Sequence, residues 1–261
     1  MKYRFKISIL VILIISPIIL GYLIPNSPFH VDVTNKFAGY SRDYLLGTDH
    51  LGRCELSRIL LAGKITLKLV IISSFLIGVI GTVLGLILSM NDGVFKMVTL
   101  SIIDSITAIP TIIYLVIVVG MLENRVVTVI LSLVFSITLR LIKFVLVLSQ
   151  EEQKKAYCSC AKCLGASNFR IAFVHILPNI IYRILSYISL SCAEIIMTIS
   201  GFSFIGINLG DTKIDWGYML NEGRAYYNIK PTLMIYPMVL IIFFTFIFNV
   251  LSNQIKEKGN I

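Results

Sequence analysis

Residues 69–90 read Leu-Val-Ile-Ile-Ser-Ser-Phe-Leu-Ile-Gly-Val-Ile-Gly-Thr-Val-Leu-Gly-Leu-Ile-Leu-Ser-Met, without one charged side chain. A helix crossing roughly 30 Å of hydrocarbon needs about 20 mainly apolar residues, so this stretch alone predicts a membrane span. Working outward, residues 7–24, 97–122, 126–149, 180–206 and 232–251 have the same character, and the six together take up over half of the chain. Each is long and continuous, without the alternating pattern of an outer-membrane barrel strand. The reading is an all-α polytopic membrane protein with six transmembrane helices.

The composition agrees. Of 261 residues 57% are apolar and 14% charged, against roughly 25% charged in an average soluble domain; the mean hydropathy is +0.88. Disorder, a collagen-like fibre and a disulfide-stapled mini-domain are excluded, and so much apolar surface could not be hidden in one soluble core. The basic start at Lys2, Arg4 and Lys6 is shared with signal peptides, but the apolar run is long and no small-x-small cleavage site precedes Pro25. Residues 1–24 therefore read as a retained anchor. Residues 25–68 read as an external loop and helix, and 69–255 as a five-helix core with an intracellular loop over 150–179.

Six spans put both termini on one side. With the N-terminus inside, the inner segments carry ten Lys/Arg against four Asp/Glu, and the outer ones ten against eight; the positive-inside tendency then places both termini in the cytoplasm, in a multi-pass protein of the cell membrane. The net charge of +9 suits a lipid bilayer surface rather than nucleic acid, because no compact basic patch interleaved with aromatics is present. On this layout Cys54 is outside without an external partner, Cys192 lies in the fifth span, and Cys158, Cys160 and Cys163 are inside, so no disulfide across the bilayer is possible. The C-x-C-x-x-C spacing lacks a neighbouring fourth ligand; the three thiols read as small packing residues and no metal site is assigned.

The loop over 150–179 looks structured. Residues 151–164 are good helix formers with an acidic start and a stop at Gly165. Ser167 or Asn168 can cap a second short helix running to Leu177, where Pro178 is expected to end it. Small side chains at Ala156, Ser159, Cys160, Ala161 and Cys163 would let a partner come close; the plainer alternative is an amphipathic interfacial connector.

The run Ser159-Cys160-Ala161-Lys162-Cys163-Leu164-Gly165, with Ile176-Leu177-Pro178 after it, resembles the "EAA" loop of ABC-importer permeases, E-A-A-x-x-x-G followed by I-L-P. Ser159 stands in place of the Glu and Cys160 in place of the first Ala. Two further segments are similar to the dipeptide/oligopeptide/nickel branch. Leu46-Gly47-Thr48-Asp49-His50-Leu51-Gly52-Arg53, then Leu56-Ser57-Arg58, looks like its L-G-T-D-x-L-G-R-D-x-x-S-R element, with Cys54 for the second Asp. Gly201-Phe202-Ser203-Phe204-Ile205-Gly206 and Asp215-Trp216-Gly217-Tyr218-Met219 look like its G-L-S-F-L-G and W-G-x-M elements.

The resemblance implies a type I ABC importer permease fold. It implies a heterodimer with a second permease subunit, two ATPase subunits that bind ATP and Mg²⁺, and an extracellular solute-binding protein. It makes Ala156, Ser159, Cys160, Ala161, Leu164, Gly165 and Ala166 the ATPase-coupling lever, and Gly47, Thr48, Asp49, Gly52 and Arg53 an external element. The solute would be a nickel or other metal chelate, or a short peptide; His50, Glu194 and Asn221-Glu222-Gly223-Arg224 incline the reading towards the metal. The chain has no G-x-x-x-x-G-K-[ST] loop, so no cofactor and no catalytic residue are assigned to it.

Ionisable groups inside spans are functional candidates by default. Arg140, Lys143 and Arg183 can snorkel towards an interface. Asp104, with Ser101 and Ser105 nearby, and Glu194 are expected on the translocation pathway, with a buried structural acid as the alternative for Glu194. Gly81 and Gly85, with Gly78, suit close helix packing, and Pro110 and Pro237 would bend spans. A self-powered channel or secondary transporter would call for inverted repeats, which are not evident. An intramembrane enzyme is disfavoured by three scattered histidines and no H-E-x-x-H.

Overall fold

The computed structural model describes residues 2–91, 93–110, 113, 117, 125–207, 210 and 213–259, with side chains from Lys6 onward except Arg125. Among the described residues, apart from a 3-10 turn at Val33–Asn35, eight helices follow in order: α1 (Lys2–Leu20), α2 (Glu55–Met90), α3 (Val94–Thr107), α4 (Arg125–Gln153), α5 (Ala156–Cys163), α6 (Asn168–Phe204), α7 (Trp216–Arg224) and α8 (Thr232–Gly259). A lipid environment leaves backbone groups no water to bond, so a chain this apolar satisfies them within helices. Among the described residues four helices, α2, α4, α6 and α8, are long and apolar enough to cross a membrane. The apolar part of α1 described here, Lys6–Leu20, is shorter. The predicted span over 97–122 begins as α3, which closes at Thr107 ahead of Pro110; most of 111–124 lies outside the described residues. Pro237 sits within α8 as read.

The chain divides into two compact units, Met1–Ile71 with Cys192–Val250, and Ile72–Ser191 with Leu251–Ile261. In the first, the only tryptophan is the packing centre. Trp216 is buried, stacks on Phe244 at a centroid distance of 5.2 Å, and donates its indole N–H to the Ile59 carbonyl at 3.3 Å. Gly63 makes room for the ring, since a Cβ there would come within 2.9 Å of it. Gly217 brings the start of α7 onto the α6 backbone; a Cβ at that position would stand 2.5 Å from Ser200 Cα.

In the second unit the glycine face of α2 finds its partners inside the chain. An added Cβ would meet Leu141 of α4 at 2.7 Å from Gly81, Val145 of α4 at 2.8 Å from Gly85, and Ile188 of α6 at 2.8 Å from Gly78. Such close approach is how helices associate where apolar burial gives no drive, since lipid tails are as apolar as Leu. Hydroxyl pairs reinforce the seams: Ser89 with Ser149 at 2.8 Å, and Ser186 with Ser252 at 2.9 Å. Leu88, Ile103, Ile142 and Leu146 fill the space beside them.

Replacing Gly85 by valine would drive a branched side chain onto the Ile142 carbonyl, 2.9 Å from the new Cβ. Overpacking of this kind costs about 1–3 kcal/mol, so Gly85→Val is expected to lower the thermal midpoint of the detergent-solubilised chain. Gly201→Ala, where a Cβ meets nothing within 4 Å, is expected to leave it unchanged.

Candidate functional site

The segment predicted to act as a lever is built between α4 and α6, within the second unit. The single helix expected over 151–164 is two: α4 runs on through Glu151 and Glu152 to Gln153, and α5 starts afresh at Ala156. Glu152 makes the corner. Its buried carboxylate accepts from Lys155 Nζ at 2.6 Å and from the Tyr157 hydroxyl at 2.7 Å, which folds the chain back on itself. Gly165 stops α5 as read, at φ +82°. Ala166 N–H donates to the Ala161 carbonyl and Gly165 N–H to that of Lys162, both at 3.0 Å, the paired bonds of a Schellman end. Of the two possible caps for the next helix, Ser167 serves, accepting from Arg170 N–H at 3.3 Å.

Pro178 does not end that helix. Residues Ile171–Ile176 wind as a π-helix, and Leu177 N–H bonds five residues back to the Ala172 carbonyl. The wide winding relieves the crowding a proline ring makes with the preceding turn. The Asn179 side-chain amide donates to the His175 carbonyl at 2.6 Å.

Along α5, Ala156, Ser159 and Cys160 are exposed at i, i+3 and i+4, whereas Cys158 is buried and Ala161 half-buried. The exposed face ends in Leu164, 89% exposed, with Gly165 exposed and Ala166 half-buried beside it. Phe169 and Val174 on α6 are also exposed, Phe169 stacking on Phe173 at 4.4 Å. The thiols of the C-x-C-x-x-C run therefore diverge, one inward and two outward. Among the described residues no group of three His, Cys, Asp or Glu could hold a metal ion.

The second constellation lies in the first unit. Gly47 and Gly52 both take φ +77°, and a Cβ on Gly52 would overlap the Asp32 backbone. Between them, Thr48 and Asp49 are buried. Thr48 Oγ1 accepts from Ala38 N–H at 2.8 Å and donates to the Asn35 carbonyl. Asp49 Oδ1 accepts the N–H groups of Leu51 and Arg53 at 2.8 and 2.9 Å. Its Oδ2 accepts from Arg53 Nε at 2.6 Å and faces Arg58 Nη1 at 3.5 Å. Both guanidinium groups then reach Glu222 on α7: Arg53 Nη2 at 3.1 Å from Oε1, and Arg58 Nη2 bonded to Oε2. Two cations and two anions close a neutral knot around Arg58, which is 1% exposed.

All five residues of the predicted external element thus meet, together with Arg58, which ends the same motif, and Glu222 and Lys230, which sequence reading left out of it. Lys230 Nζ donates to the carbonyls of Ala38 and Thr48 at 2.6 and 2.8 Å. Glu222, taken above as a hint of metal chemistry, spends both oxygens on arginines. His50 stacks on Tyr226 at 4.5 Å, and burial pushes its imidazole pKa down. Nearby, Asp215 caps α7, accepting from Gly217 and Tyr218 N–H at 2.8 and 3.1 Å and from the Ser203 hydroxyl at 2.7 Å. Burial pushes its carboxyl pKa up to about 6, against the pull of those three bonds.

Two of the cations placed in or beside the spans meet acids. Lys143 Nζ sits 2.5 Å from Asp104 Oδ1, and Arg183 Nη1 is 3.3 Å from Glu151 Oε2. Ser101 and Ser105 share a stretch of α3 with Asp104 and return their hydroxyls to the Met97 and Ser101 carbonyls at 3.0 and 2.8 Å. Glu194 is half-buried on α6, in the part of that helix belonging to the first unit.

Apolar helices long enough to cross a membrane, with a short capped helix between two of them that presents small side chains to solvent, point to a membrane transport subunit. The chain belongs to the family described as binding-protein-dependent transport system inner membrane component, which matches residues 81–257. It is 32% identical to the glutathione transport system permease protein GsiD of Pectobacterium atrosepticum, over 90% of this chain and 79% of that protein. It is 27% identical to the dipeptide transport system permease protein DppC of Haemophilus influenzae, covering 96% and 87%. With the nickel transport system permease protein NikC of Escherichia coli K12 it shares 23%, covering 98% and 93%. It is a multi-pass membrane permease, not an enzyme.

Removing one member of a buried ion pair strands its partners and costs about 3–5 kcal/mol, whereas an apolar pair in the same space is far better tolerated. Arg58→Met is accordingly expected to lower the thermal midpoint sharply, and Arg58→Met with Glu222→Met to recover part of the loss. For Asp215, the folded pKa of about 6 stands above the ordinary 3.8. The carboxyl's stabilising share is therefore complete below about pH 3.8 and lost as pH rises through about 6. Asp215→Asn keeps the cap without the charge, and the midpoint of that variant should fall less than the parent's between those two values.

Proposed function

We propose that this chain is one of two permease subunits of an ATP-driven importer, with both termini in the cytoplasm, and that it carries short peptides or metal chelates. Two ATPase subunits, which hold the ATP and Mg²⁺, grip the lever formed by Ala156, Ser159, Cys160, Ala161, Leu164, Gly165 and Ala166. A solute-binding protein delivers cargo on the external side, to which the element of Gly47, Thr48, Asp49, Gly52 and Arg53 is assigned. Glutathione, dipeptides and nickel are the cargoes named for the relatives, which supports this solute range.

The observation that carries the reading is the α5 surface. Small side chains cover one exposed face, the helix is clamped at one end by Glu152 and at the other by the Gly165 turn, and an apolar tip at Leu164 projects beyond it. A small, rigid, apolar-tipped helix suits insertion into a cleft that moves as a body. Ser159 in place of the family's Glu makes that contact one of shape and apolar burial rather than charge.

Gly165 has open space around it but a left-handed backbone, where a residue with a side chain loses roughly 1–2 kcal/mol. Gly165→Val should therefore reorient the lever without clashing. In the assembled transporter uptake is expected to fall at least tenfold while ATP hydrolysis continues. Unchanged uptake would overturn the assignment of the lever.

A further inference from the structure

We infer that Tyr22, Lys64 and Lys68, in the first unit, form a site for the phosphodiester headgroup of an anionic phospholipid; this goes beyond the importer reading and does not rest on it. Lys68 stands immediately before the uncharged run 69–90, with Lys64 one helical turn ahead of it. Tyr22 lies just past the end of α1. The contact between Tyr22 and these lysines puts the ends of two apolar stretches at one level, the depth at which tyrosine and lysine meet lipid headgroups. The junction is tight. A Cβ on Gly21 would stand 2.5 Å from Lys64 Cβ and 2.8 Å from the Leu60 carbonyl oxygen, so the missing side chain lets the end of α1 rest on α2 and sets the Tyr22 ring against both lysines.

Lys64 Nζ lies 3.3 Å from the centroid of that ring and Lys68 Nζ 5.2 Å, and Lys68 also donates to the Tyr22 hydroxyl at 2.8 Å. Two ammonium groups are thus gathered around one ring, and among the described residues neither has an acid as its partner. Like charges held so near repel, and an anion between them removes that cost. Having accepted from Lys68, the Tyr22 hydroxyl keeps its own proton to donate. Two ammonium groups and a phenolic O–H match the unesterified oxygens of a phosphodiester; a choline headgroup would bring a third cation to the same place. The surroundings suit the rest of a lipid. Lys64, Lys68 and the exposed Ile71 fall at i, i+4 and i+7 on α2, and the exposed Ile12, Ile15 and Ile19 at i, i+3 and i+7 on α1. Acyl chains below the headgroup would cover these side chains, which a free phosphate ion would leave bare.

The test places a photocrosslinker, p-benzoylphenylalanine, at the exposed Leu23 of the full chain in its assembled complex, in nanodiscs of equal parts phosphatidylglycerol and phosphatidylcholine. Adducts at residue 23 are identified by mass spectrometry. The phosphatidylglycerol adduct is expected to exceed the phosphatidylcholine adduct by about tenfold. Lys64→Gln with Lys68→Gln should bring that ratio near one, and Tyr22→Phe, which keeps the ring and removes the hydroxyl, should lower it part of the way. Lys36→Gln with Arg42→Gln removes the same charge from exposed loop positions and should leave the ratio unchanged. Equal adducts of the two lipids, a ratio that survives the Lys64 and Lys68 changes, or an equal fall in the Lys36 and Arg42 variant would overturn the site. So would an adduct with another protein chain in place of lipid, which would make this face a subunit contact. Loss of the phosphatidylglycerol excess in inorganic phosphate, but not in chloride of the same ionic strength, would assign the cations to the free ion and overturn the lipid claim.

Discussion

In a chain with so few charges and so much apolar surface, an ionised side chain can neither be left in lipid nor be hidden alone, because each alternative costs several kcal/mol. The architecture follows from the ways this constraint is met. Asp49, Arg53, Arg58 and Glu222 neutralise one another in a closed ring of ion pairs, three of them hydrogen-bonded. Asp104 and Lys143 meet between α3 and α4. Glu152 is buried at the point where the chain must turn, and takes its partners from the next few residues. Each pairing fixes the relative placement of the segments it joins, so the polar minority specifies geometry that apolar packing alone would leave loose.

The seams between helices work by a different economy. Where no hydrophobic gain distinguishes a neighbouring helix from lipid, contact depends on how near two backbones can come. The glycines of α2 supply that nearness against α4 and α6, and the Ser89–Ser149 pair ties α2 to α4. Trp216 does the same for the other unit by filling a space that Gly63 leaves for it. Helix α5 is held at its ends by Glu152 and by the turn at Gly165, and the face with Ala156, Ser159 and Cys160 is exposed.

Features set by a few neighbouring residues were legible in the sequence. The long apolar runs, the stop at Gly165, the cap at Ser167 and the close-packing role of Gly81 and Gly85 all follow from local stereochemistry or spacing. What escaped had its cause elsewhere. Nothing near Glu222 announces that its oxygens are taken by arginines more than 160 positions away, and Lys230 reaches a carbonyl 192 residues distant. The corner at Lys154 and Lys155 depends on Glu152 being buried, which its acidic, exposed-looking neighbourhood conceals. Pro178 was read by its usual habit of ending helices; the π winding before it lets the helix continue, and no propensity scale encodes that adjustment. Lys143 is the converse case. Its long stem permits an escape towards an interface, but an acid on α3 lies nearer.

The wide winding at Ile171–Ile176 also has a mechanical meaning. It holds one residue more per turn than the helix on either side, so it is a built-in dislocation in an otherwise continuous rod. Closing the fault by one residue would turn the segment ahead of it by about 100° without severing the shaft, as a 3.6-residue repeat requires. A twist applied at the Ser167 end is thus absorbed as a screw motion at a fixed place, rather than as fraying or a kink.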